Sequence, residues 1–167
     1  MKTNGSLYVA AVFAALIGYF VYQWWFNPNR MVKARLGAIA TAISIPPTER
    51  EIDRLARLAR LRKLATSDVH VKIGKTGPVF ESLDAVVAAA GAATAPPGGW
   101  NVDFVDADVR VNGDDTARAY VTADMTTKDP ETGQQTLDSR DVVLSFAKSD
   151  GEWLVREAEV KELPKPK

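Results

Sequence analysis

No charged residue occurs between Thr3 and Asn29. Residues 7–22 are apolar, aromatic or glycine throughout, and Gln23-Trp24-Trp25-Phe26 closes the run. Such a segment can hide only inside a core or in lipid. At about 1.5 Å per residue, a helix over residues 7–26 rises roughly 30 Å, the hydrocarbon thickness of a bilayer. Tyr22, Trp24, Trp25 and Phe26 would then stand where aromatic rings favour the membrane–water boundary. The sequence therefore predicts a single-pass transmembrane helix within residues 1–29. A cleaved signal peptide fits less well. The run exceeds the usual apolar core of about 7–15 residues, and the residues after it are too bulky for a small-x-small cleavage site. Ala40-Thr41-Ala42 has the cleavage pattern but lies inside the next helical stretch.

Small residues recur along the same segment. Ala10, Ala14 and Gly18 are spaced by four, with Ala11 and Ala15 beside them. That spacing lines one helix face with small side chains and lets a second helix approach closely in lipid. The expected partners are thus the bilayer and either another membrane protein or a second copy of the chain. Orientation rests on the flanks. The short N-terminal tail with Lys2 resembles a bacterial signal-anchor, which places the rest of the chain outside the inner membrane. Arg30, Lys33 and Arg35 on the other flank pull the opposite way.

The remainder, about 140 residues, is the size of one domain. The absence of cysteine excludes disulfides, thiol nucleophiles and thiolate metal sites. Net charge is zero, but residues 1–75 carry twelve Lys/Arg against four Asp/Glu, and residues 76–167 nine against seventeen. A basic membrane-proximal half suits anionic headgroups or an acidic partner. Nucleic acid is not expected, because the cations are not interleaved with aromatics.

Asn27-Pro28-Asn29 ends or kinks the first helix. Val32, Leu36, Ile39, Ala40 and Ile43 recur at three and four, which predicts an amphipathic helix over 30–44. Ile45-Pro46-Pro47 stops it. Thr48-Glu49-Arg50-Glu51 has the form of a capping box and predicts a second helix from Thr48. Its apolar face would hold Ile52, Leu55, Ala56 and Ala59, with Arg50, Arg54 and Arg57 as an opposite basic face. Residues 68–73 alternate with period two and predict a strand, and residues 80–90 predict a third helix. Four strands follow, beginning with 100–111, where adjacent Phe104 and Val105 break the alternation and suggest a β-bulge. Asn112-Gly113 and Asp150-Gly151 mark tight turns. The next strand alternates Ala117, Ala119, Val121, Ala123 and Met125 against Arg118, Tyr120, Thr122 and Asp124. Trp153 in the last strand is the leading core candidate.

Helices grouped ahead of hairpin-linked strands predict an α+β roll, three helices packed on a curved antiparallel sheet. With the strand at 68–73, the helix at 80–90, the bulged strand 100–111 and the closing Asp150-Gly-Glu-Trp-Leu-Val155, this order resembles the nuclear transport factor 2-like superfamily, the SnoaL-like, polyketide-cyclase or cystatin-like roll. The resemblance implies an organisation of anchor (1–29), roll (30–162) and flexible tail (163–167). It also implies that the helices line the concave side of the sheet, often around a conical pocket. The superfamily's isomerases share a tyrosine on the first helix, which residues 30–44 lack. Its dehydratases use histidine–aspartate pairs, and Asp68 and His70, two apart on one strand, share a face. They are the weak catalytic candidates of a chain otherwise expected to be non-catalytic, with no cofactor and no metal. The leading expectation is an accessory or assembly subunit whose roll docks on a larger membrane complex or on itself. The alternatives are a tethered binder of an apolar small molecule and a lyase or isomerase using His70.

Overall fold

The computed structural model describes residues 4–25 and 27–161, and the side chains of residues 4–10 and 23–25 fall outside that description. Helix α1 runs Asn4–Trp25 and α2 runs Pro28–Ile43. Between them, Asn27 caps α2 by accepting from Asn29 N–H at 3.0 Å, and Pro28 takes the first helical position, where its missing donor costs nothing. Every side chain of residues 11–22 is exposed, Val12, Phe13, Leu16, Ile17 and Phe20 among them. Among the described residues no helix is long and apolar enough to cross a membrane. The ends of the expected span, residues 7–10 and 23–26, lie outside the described side chains. So do Ala10, Trp24, Trp25 and Phe26, and the expected tail at 163–167.

The remaining elements are α3 (Glu51–Arg62), β1 (Ala65–Ile73), β2 (Val79–Phe80), α4 (Leu83–Ala92), β3 (Trp100–Asn112), β4 (Thr116–Lys128), β5 (Gln135–Ser149) and β6 (Glu152–Lys161). The six strands form one sheet in the order β2-β1-β6-β5-β4-β3. The last four pair antiparallel through hairpins, as the turn residues require. Gly113, Asp150 and Gly151 all adopt the left-handed conformation those turns need. β1 joins the other edge of β6 in parallel, with Val71 beside Ala158. The sheet is therefore mixed, not antiparallel as expected. Nothing in the alternation of a strand names its partner, and this pairing spans most of the domain. Phe80 belongs to the two-residue strand β2 rather than to a helix; α4 starts after Ser82, whose hydroxyl accepts from Ala85 N–H at 3.2 Å. The bulge falls just beyond the expected place, between Val105 and Asp108, with Asp106 at φ 51°.

Alternation decides what is buried. Ala117, Ala119 and Val121 of β4, Val142, Leu144 and Phe146 of β5, and Trp153 and Val155 of β6 face inward with Val32, Leu36 and Ile39 of α2. The end of α2 is fastened to β3. Ile45 and Trp100 exchange backbone bonds of 2.9 and 2.8 Å, Trp100 Nε1–H donates to Ile43 C=O at 2.7 Å, and Val102 N–H donates to the Ser44 hydroxyl at 2.9 Å. Gly99, at φ 69°, lets these chains approach, since a Cβ there would lie 2.5 Å from Ile45 O.

Helix α3 departs from its expected phase. It starts at Glu51, Arg50 is its N-cap with no side-chain capping bond, and Thr48 lies outside it, so the capping box does not form. Leu58 and Leu61 pack inward while Ile52 and Leu55 are 65% and 55% exposed. The chain passes from α3 into β1 within two residues. Leu64 C=O already accepts from Val155 N–H at 2.8 Å, so Leu61 and Leu64 must enter the core and the rest of the helix follows.

Trp153 is 1% exposed and the largest fully buried side chain. Replacing it with alanine should cost about 3–5 kcal/mol in denaturant unfolding. A loss below about 1 kcal/mol, the scale of surface substitutions, would contradict the assigned strand faces.

Candidate functional site

The concave side of the sheet is occupied by the roll's own side chains: Trp153 and Phe146 from the sheet, Val32 and Leu36 from α2, Leu61 from α3, Val87 from α4. An open cleft of about 500 Å³ lies between the end of α2, the start of α3 and the ends of β3, β4 and β5. Its wall contains Arg57, only 5% exposed, and the one charged residue buried among those described. The guanidinium meets Glu49 through two bonds, Nε–H to Oε1 at 2.6 Å and a terminal N–H to Oε2 at 3.2 Å. This bidentate, charge-assisted geometry compensates both desolvated charges. Trp100 and Ser44 also line the cleft, but the indole N–H and the hydroxyl proton are already spent on Ile43 and Ala40 carbonyls. Arg60 and Lys128 at its margin are exposed. The cleft offers two cations and an apolar floor. It offers no nucleophile paired with a base.

Asp68 and His70 do share a face, in a separate depression of about 540 Å³ with Arg118, Ser145, Arg156 and Glu157. That face is the outer one. Val69 between them is buried in the core, so its neighbours in the strand point away from it. His70 stands beside Glu157 in register, and Asp68 is 3.9 Å from the Arg156 guanidinium. The Thr66 hydroxyl, with Arg156 adding to it, holds the Asp68 carboxyl below its ordinary range. Asp68 therefore stays ionised and solvated. The pair does not reach the interior that the dehydratase resemblance implies.

The expected basic face is also broken up. Arg57 is buried, Arg50 is paired with Asp53 at 2.7 Å, and Arg54 is exposed. The Arg50 hydrogen bond keeps the Asp53 carboxyl below its ordinary range. The sequence carried two competing stripes, 52/55/56/59 and 57/58/61/64, and counting apolar residues favoured the wrong one. The signal for the right one was Leu61 and Leu64 standing next to a strand. Of the small-residue stripe, Ala11, Ala14, Ala15 and Gly18 are exposed, and a Cβ on Gly18 would meet nothing within 4 Å. Among the described residues no group of acidic, histidine or cysteine side chains gathers at metal-binding distances.

The sequence matches the SnoaL-like domain family over residues 39–156. The chain belongs to that family. No curated protein matches it. Among solved structures, the fold is similar to an NTF2-like protein with a cystatin-like fold from Novosphingobium aromaticivorans, at 14% identity and TM-score 0.69, over 88% of this chain and 90% of that one. It is similar to a ketosteroid isomerase-like protein from Erwinia carotovora atroseptica, at 16% identity and TM-score 0.58, over 83% and 99%. The association domain of C. elegans CaMKII is similar at 11% identity and TM-score 0.52, over 65% and 87%. At these identities the likeness is one of fold.

The Arg57–Glu49 pair yields a sharp expectation. Glu49→Ala leaves a buried guanidinium uncompensated and should cost about 3–5 kcal/mol, whereas Arg57→Met with Glu49→Leu should cost far less. Denaturant unfolding of the wild type, the single and the double variant checks this.

Proposed function

We propose that this SnoaL-like chain is a membrane-tethered, non-catalytic association module, held in the bilayer by its N-terminal helix and docking through its surface on a larger membrane complex or on a second copy. One observation carries the reading: the roll fills its own interior, while large apolar side chains are turned outward on α1 and α3. Apolar side chains of the roll pack on one another across its interior, and exposed Val12, Phe13, Leu16, Ile17 and Phe20 on one helix call for lipid or another helix. The fold is shared with an association domain as well as with an isomerase-like protein, so fold alone selects neither. The stripe of Ala11, Ala14, Ala15 and Gly18 supplies a close-packing face for a partner helix. We place the roll on the extracytoplasmic side of a bacterial inner membrane, from the short tail carrying Lys2 ahead of the apolar run.

Binding of an apolar small molecule is the second reading. It has the cleft under Trp100 in its favour, about 500 Å³ and lined in part by Ile45, Pro46 and Pro47. A lyase or isomerase would have to work from Asp68 and His70 on the outer face.

The test is extraction of native membranes in mild detergent followed by native gels and identification of what co-migrates. The wild type should run as a complex. Ala14→Leu with Gly18→Leu should stay in the membrane fraction and lose that complex, since leucine is at least as apolar but too bulky at closest approach. Recovery of the wild type in the soluble fraction, or as a lone monomer from membranes, would overturn the reading. Protease added to intact spheroplasts should remove the roll.

A further inference from the structure

The phase of α3 leaves an unpartnered apolar stripe on a helix that is otherwise part of the roll. Ile52, Leu55, Ala56 and Ala59 lie on one face, and all four are exposed. Lys63 continues this face one turn further, and Arg60 borders it; both are exposed, and neither forms an ion pair among the described residues. Arg62, also in the last turn, is held by Asp84 of α4 at 2.8 Å. Glu51 is the exposed acid at the opposite end. Beside the stripe, α4 adds exposed Ala88 and Ala92 and no cation. The surface is therefore apolar along its middle and positive toward the C-terminal end of α3.

We infer that this face of α3 is a lipid-docking surface that seats the roll on an anionic bilayer, with Ile52 and Leu55 entering the headgroup–acyl boundary and Arg60 and Lys63 meeting lipid phosphates. The inference rests on the membrane-tethered reading and adds the surface by which the domain lies down. Its physical basis is charge complementarity. An apolar stripe rimmed by unpaired cations matches the cross-section of an anionic membrane surface, apolar below and negative above. Two large side chains are too few to hold a free domain on lipid. For a domain already anchored through α1 the contact is intramolecular, at an effective concentration of about millimolar, so a weak contact suffices. The buried Arg57–Glu49 pair keeps the stripe facing outward, because it ties the opposite side of the helix to the roll.

The chain has no cysteine, so single labels can be placed freely. Full-length protein carrying an environment-sensitive fluorophore at Leu55→Cys is reconstituted into vesicles of phosphatidylcholine alone or mixed with phosphatidylglycerol. Ala14→Cys reports on α1, and Ser149→Cys, at the exposed end of β5, serves as the aqueous reference. In the anionic vesicles the Leu55 label should be blue-shifted and its quenching by iodide several-fold weaker than that of the Ser149 label. High salt, or Arg60→Glu with Lys63→Glu, should abolish most of that protection. If the Ala14 label is protected while the Leu55 label is quenched like Ser149, the docking surface is refuted and the tether stands. If the Ala14 label is quenched as well, the tether fails and this inference falls with it. Protection of Leu55 that is equal in neutral and anionic vesicles and falls when the protein is diluted among them would identify contact between copies of the chain, and would overturn the lipid assignment.

Discussion

Much of this structure follows from how α2 is fastened across the apolar face of the sheet. That face, running from Val121 through Leu144 and Phe146 to Trp153, needs a cover, and a helix with Val32, Leu36 and Ile39 on one side supplies it. The bonds from Ile45, Ile43 and Ser44 to Trp100 and Val102 then fix where the chain leaves α2. They set the path of residues 45–50 and bring Glu49 to meet Arg57. The pair in turn holds α3 in one rotational phase. Exposure of Ile52 and Leu55 is thus the far end of a chain of constraints that begins with covering a sheet.

The buried ion pair is costly for what it contributes to stability. Desolvating two charges consumes most of their attraction, and apolar replacements of equal volume often do as well. Its consequence here is directional. A rotation of α3 by half a turn would bury Ile52 and Leu55, an apparent gain, but it would expose Leu58 and Leu61 and strip Arg57 of its partner while leaving Glu49 half-enclosed. The pair and the Leu58–Leu61–Leu64 series oppose that rotation together. A helix with two plausible faces is committed to the one that leaves apolar side chains in water.

How much of this was legible in the residues depended on range. Local patterns read well: the period of α2, the inward alanines of β4, the Asn112-Gly113 and Asp150-Gly151 turns, and burial of Trp153. Longer-range facts did not. Parallel pairing of β1 with β6 leaves no local mark, and neither does a two-residue strand such as β2. The capping box at Thr48 failed because the chain leaves the Ile45–Trp100 bridge through a bend at Pro47 and Thr48, and the helix begins only after Arg50. For the candidate site, the sequence placed Asp68 and His70 on a common face but gave no weight to which face. Val69 and Val71 carried that information. A polar residue set between two β-branched ones in a half-buried strand points outward, as His70 does between Val69 and Val71.

The same logic bears on what a SnoaL-like roll can be used for. An interior that binds or transforms a small molecule must leave volume unfilled and place polar groups along it. Among the described residues the inward positions are valines, leucines, an isoleucine, alanines and two large aromatics, the indole N–H of Trp153 is the one buried side-chain polar atom without a partner, and the one buried charge is cancelled by its neighbour. The proposed reading therefore puts binding on the exterior, on α1 and on the outer stripe of α3. A surface of two or three large apolar side chains is weak in free solution and useful when tethered, because tethering removes most of the translational cost of forming the contact. On the proposed reading the exposed helix α1 is thus what gives the small patch on α3 a use. With α1 removed, that patch would be too small to hold a partner at all.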